Sequence, residues 1–106
     1  MLSKQELNEK LELIYPLSEA DMCEDNQIPL IQDSWRMFEL AVDNDLRIRQ
    51  ADESAEIFYY SFDEKEQEGR WISVSAKHKD HESKVAAARY AIAMALVKLA
   101  ESKNVE

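Results

Sequence analysis

The sequence predicts a single α+β domain over residues 1–106 with the element order α-α-β-β-β-α, in which a three-stranded antiparallel meander packs against a long C-terminal Ala-rich helix. Three observations predict it. Apolar residues recur at helical spacing toward both ends of the chain, they alternate at period two between residues 46 and 76, and the connections between the alternating runs are too short for parallel crossovers.

The first helix opens at Ser3-Lys4-Gln5-Glu6, which fits a capping box: the Ser3 hydroxyl accepts from the Glu6 amide while Glu6 reaches back. Leu7, Leu11 and Ile14 follow at helical spacing, and Pro16 ends the pattern. Residues 17–28, LSEADMCEDNQI, are acidic and hold no sustained period, so they read as a loop with at most a turn of helix at Ser18. In the second helix Ile31, Trp35, Phe38 and Val42 stand at i, i+4, i+7 and i+11, an apolar stripe expected to face the core. Asp33 falls in its first turn, where a negative charge suits the helix dipole, and Asp43-Asn44-Asp45 breaks it.

Period two then takes over. LRIRQ (46–50) sets Leu46 and Ile48 against Arg47 and Arg49, Asp52-Glu53-Ser54 is a turn, and EIFYYSF (56–62) is rich in strand formers. DEKEQEGR (63–70) reads as a charged hairpin loop carrying the only glycine, Gly69. WISVSA (71–76) sets Ile72, Val74 and Ala76 against Trp71, Ser73 and Ser75. The last helix is expected over about residues 81–101, capped by Asp80, with Val85, Ala88, Ile92, Leu96 and Leu99 as its main stripe. Lys84, Ala91 and Lys98 mark its expected exposed edge, and residues 103–106 are expected to fray.

With 106 residues the chain can bury roughly two thirds of its unfolded surface without staples. Cys23 is the only cysteine, which excludes an intramolecular disulfide and suits a reducing compartment. The longest apolar run, 85–100, is interrupted by Arg89 and Lys98, too short and too charged to span a bilayer. A cytoplasmic protein without membrane contact is therefore expected. The formal net charge of −9 is uneven: residues 1–64 hold 5 Lys/Arg against 16 Asp/Glu, residues 65–106 hold 8 against 6. Such an excess serves solubility, repels nucleic acid, or mimics it toward a basic partner.

Both histidines fall in KHKDHESKVAAARY (77–90), three apart. A structural zinc site needs about four ligands, and Cys23 has no second thiol beside it, so no metal and no cofactor are expected. No Gly-x-Ser-x-Gly, phosphate-cradling glycine loop or His-Glu-x-x-His is present, and no catalytic constellation emerges. On the middle strand, Phe58, Tyr60 and Phe62 point one way and Ile57, Tyr59 and Ser61 the other. A face combining Arg47, Arg49, Tyr59 and Trp71 suits a stacking platform for single-stranded nucleic acid, or a dimer interface.

HKDHESKVAAARYAIAMAL resembles the last-helix region of double-stranded RNA-binding domains, whose lysines clamp phosphates across a groove. Lys79 and Lys84 are the positions that carry over; Asp80 and Glu82 interrupt the consecutive lysines of that family. The chain over residues 5–100 is also similar to small phage and prophage proteins of the ABA-sandwich or NinX-like kind, through QDSWRMFELAV, the strands ending near a tryptophan, and AAARYAIAMALVKL. Trp35, Trp71 and Ala86 to Ala88 carry that likeness most specifically, and the acidic segment 17–28 departs from it. It implies a phage accessory protein without known catalytic residues.

The leading expectation is thus an acidic accessory protein that binds another protein without catalysis. Glu19, Asp21, Glu24, Asp25, Asp43 and Asp45 would enter the basic groove of a host defence or nucleic-acid enzyme as a phosphate mimic. The alternative is a nucleic-acid-binding module using Arg47, Arg49, Tyr59, Trp71, Lys79 and Lys84. A homodimer through the sheet face or the long helix is compatible with either.

Overall fold

The computed structural model describes residues 3–16 and 29–103. Helix α1 (Lys4–Ile14) starts at Ser3, whose hydroxyl oxygen accepts from the Glu6 amide at 3.2 Å. The Glu6 carboxylate turns back to that same hydroxyl, so the box closes between side chains. Leu7 and Leu11 are buried, as their spacing requires. The chain re-enters at Pro29 and forms a 3-10 turn, Leu30–Gln32. Two α1 side chains hold it: Asn8 Oδ1 accepts from the Ile31 amide at 2.8 Å, and Glu12 Oε1 from the Leu30 amide at 3.2 Å. These polar anchors satisfy the turn's amides and let Leu30 and Ile31 drop into the core.

Helix α2 (Ser34–Asp43) is capped by Asp33, which stands just outside the first turn and accepts from the Arg36 amide at 3.2 Å. Its expected core stripe is overturned. Trp35, Phe38 and Val42 are 72%, 55% and 58% exposed, while Met37 and Ala41 are buried and Leu40 half-buried. Ile31 belongs to the 3-10 turn, and the extended backbone at Asp33 resets the helical phase between them. The C-terminus closes as a Schellman motif, with the Leu46 amide donating to Ala41 O at 2.9 Å and the Asp45 amide to Val42 O at 3.1 Å. Asp45 sits there at φ 57°, in the left-handed region.

Strands β1 (Arg47–Gln50), β2 (Ser54–Asp63) and β3 (Glu68–Lys77) form an antiparallel meander in the order β1-β2-β3. Pairings Ile48↔Ile57↔Val74 and Ala55↔Ala76 fix the inner face, and Arg47↔Phe58↔Ser73 and Tyr60↔Trp71 the outer one. Tyr59, opposite Ile72, is therefore buried on the inner face. The expected grouping of Tyr59 with Arg47, Arg49 and Trp71 does not form, because neighbours on a strand alternate faces. The hairpin is also longer than its charge suggested. Only residues 64–67 make the turn, with Gln67 at φ 56°, and Gly69 lies within β3.

After a second 3-10 turn (His78–Asp80), helix α3 (Lys84–Lys103) crosses the inner face of the sheet. It begins at Lys84, and its cap is Ser83, not Asp80: Ser83 Oγ accepts from the Ala86 amide at 3.0 Å. Helices α1 and α2 pack on α3 and on the first 3-10 turn. Enclosed between the sheet and the two other helices, α3 is buried on nearly every side, including Ala86, Ala87, Tyr90 to Ala93, and Ala95 to Val97. Ala91, expected at an exposed edge, is fully buried, and Val85 is 55% exposed. Small side chains let three neighbours approach one helix at once. Among the described residues no helix covers the outer face of the sheet, and none is long and apolar enough to cross a membrane.

Candidate functional site

The segment from Lys77 to Arg89 joins sheet to helix, and its two histidines meet different neighbours. The His78 amide donates to Glu53 O at 2.8 Å, and its Nε2 lies 2.8 Å from Gln50 Oε1, tying the end of β3 to the β1–β2 turn. A cavity of about 340 Å³ there is lined by Asp52, Glu53, Lys77, His78 and Lys79. His81 instead turns its ring to Tyr90, with centroids 4.8 Å apart, and its Nδ1 is buried without a hydrogen-bond partner. Burial pushes its pKa below the ordinary imidazole value, the Lys4 charge adds to this, and Asp80 opposes it. Among the described residues no three His, Cys, Asp or Glu side chains gather as a metal cluster. Cys23 lies outside the described residues.

Of the expected acidic face, Glu19, Asp21, Glu24 and Asp25 lie outside the described residues. Asp43 and Asp45 are exposed at the C-terminal end of α2, and Asp45 also serves as the left-handed residue of the cap. Beside them run Trp35, Phe38 and Val42, with the exposed Glu39 between. This apolar row with an acidic margin is the first candidate surface.

The second is the outer face of the sheet. The Arg47 guanidinium sits over the Trp71 indole, 4.4 Å from the ring centroid. Tyr60 meets Trp71 edge-on, with centroids 5.5 Å apart and planes at 64°. Arg49 shares this face, and Phe62 is exposed on it. Lys79 and Lys84 belong to the junction between β3 and α3, outside the strands, with Lys79 lining the cavity beside the β1–β2 turn. Tyr59 is absent from this face; burial raises its phenol pKa, with the nearby Arg70 charge pulling the other way. Tyr60 and Phe62 were the residues missed. No polar residue on β2 singled them out, since Glu56 shares their parity and Asp63 shares that of the buried Tyr59.

Comparison with protein-family models, with curated proteins and with solved structures returns no match.

Proposed function

We propose that this chain is a non-catalytic protein-binding domain that docks the exposed row of α2 into an apolar groove on a basic partner. The phage-type reading of the sequence makes a host nucleic-acid or defence enzyme the natural class of that partner. The carrying observation is the pairing of Trp35, Phe38 and Val42 in one exposed row with Glu39, Asp43 and Asp45 along it. Such a row at i, i+3 and i+7 suits helix-in-groove recognition, in which buried apolar anchors supply affinity. The carboxylates at the margin steer approach and discriminate between partners more than they hold. Most of the chain's negative charge lies in its first 64 residues, on the side of the sequence that contains α2.

The test is retention of host proteins by the immobilised chain at low and moderate salt. The same retained protein should be lost with Phe38→Asp and weakened with the paired change Asp43→Asn and Asp45→Asn. Asparagine tolerates the left-handed backbone at residue 45, so the helix end survives that change. Retention that is indifferent to both variants would remove the proposal.

A further inference from the structure

We propose that the outer face of the sheet binds single-stranded nucleic acid, stacking a base on Tyr60 and holding phosphates with Arg47 and Arg49. This surface is separate from the α2 row and stands or falls independently of it. Tyr60 lies down across β3 because Gly69 leaves it room: a Cβ at residue 69 would collide with the Tyr60 hydroxyl and ring. With its ring against the strand, Tyr60 is still 50% exposed. Trp71 stands beside it at 64° and is 45% exposed. The pair makes a floor and a wall, a shape that fits a flat ring, and stacking on a π-face tolerates any base.

The arginines supply the charge. Arg47 already lies on the indole, which fixes the guanidinium plane while leaving N–H groups for an oxygen ligand. Arg49 is two residues along the same strand and face, about 6.7 Å further on. Glu56 is the only carboxylate among the strand residues of this face. The face is thus locally positive on a chain of net charge −9. That balance decides between occupants. A second copy stacked on the same face would enclose four guanidinium groups with only two Glu56 carboxylates to pair them, leaving buried charge without a partner. A phosphodiester strand brings an anion to both arginines, with Glu56, opposite Arg49, as the one opposing charge.

The test uses fluorescein-labelled oligo-dT and oligo-rU of about 8 nucleotides. The protein carries Trp35→Phe, which leaves Trp71 as its only tryptophan. Anisotropy should rise and Trp71 should be quenched on the same titration. Contacts to two phosphates predict a slope of about −1.4 in log affinity against log salt. Tyr60→Ala should weaken binding about tenfold. Arg49→Ala should reduce the slope by about 0.7. Arg49 is exposed, so this second variant keeps the test sound should Tyr60→Ala disturb the sheet. A difference between the two oligonucleotides would show that the sugar 2′-hydroxyl or the thymine methyl is read, and binding of either supports the proposal. No quenching of Trp71 at low salt overturns it, as does binding that Arg49→Ala leaves unchanged. A dimer by light scattering with Trp71 shielded from acrylamide also overturns it, and gives the face to a second copy.

Discussion

Ser83→Ala and Asp80→Ala together test where the core helix begins. The Ser83 hydroxyl accepts from the Ala86 amide at 3.0 Å, and the Ser83 carbonyl from the Ala87 amide at 3.0 Å. Removing the hydroxyl leaves the Ala86 amide without that acceptor, at a helix start where both Ala86 and Ala87 are buried. Loss of such a cap costs about 1 kcal/mol. For a domain of this size that lowers the melting temperature by roughly 4–8 °C. With a urea dependence of about 1–2 kcal/mol per molar, the midpoint falls by about 0.5–1 M. Asp80 lies in the preceding 3-10 turn, outside the helix, and its replacement should stay within about 0.5 kcal/mol. Parallel urea melts followed by far-ultraviolet circular dichroism measure both. If Asp80→Ala costs as much as Ser83→Ala, the helix is capped one turn earlier and the reasoning fails.

Two further outcomes follow from burial. Met37→Ala should cost about 2–5 kcal/mol because Met37 is fully buried, whereas Phe38→Ala, one residue away and 55% exposed, should stay near 0.5 kcal/mol; equal losses in urea melts would restore Phe38 to the core. His81 has its folded pKa below the ordinary 6.5, so the unfolded chain takes up its proton first as pH falls. Its contribution to stability is therefore full above pH 6.5 and is lost as pH drops toward the folded pKa. His81→Gln should flatten the stability profile as pH falls below 6.5, and an unaltered slope there would refute the assignment.

Element order and sheet topology were legible because each rests on a strong local signal. Period two marks LRIRQ and WISVSA, EIFYYSF is rich in strand formers, and connections this short make antiparallel pairing the economical arrangement. The alanine content of residues 86–95 announced close approach, and α3 is the element the others surround. Strand parity was harder to read, because both sets on β2 carry aromatic residues. Hydrophobicity alone could not choose between Tyr59 and Tyr60. Nor could the charged ends, since Glu56 shares the parity of Tyr60 and Asp63 that of Tyr59; the fold turns Tyr60 outward with Glu56, and Tyr59 inward with Ala55, opposite Ala76. Gly69 misled for a related reason. It falls in a charged stretch that reads as the hairpin loop, yet residue 67 carries the positive φ, and the glycine instead leaves room for the cross-strand Tyr60 ring.

The α2 stripe shows what a periodic pattern leaves out. Positions 31, 35, 38 and 42 share a face only if one helix runs through all of them, and Asp33 interrupts that helix. Once the phase restarts at Ser34, the inward pair is Met37 and Ala41, one large and one small. The small member suits the place: α2 packs on α3, a helix rich in alanine, and a helix bringing Trp35 and Phe38 inward would stand further from it. The large apolar residues are consequently displaced to the surface by the same close packing that builds the core. Trp35, Phe38 and Val42 stand exposed in one row on α2 rather than scattered singly, and contiguous apolar surface is what marks an interaction site. For that reason Trp35, Phe38 and Val42, which looked like core in the sequence, carry the proposed partner contact in the structure.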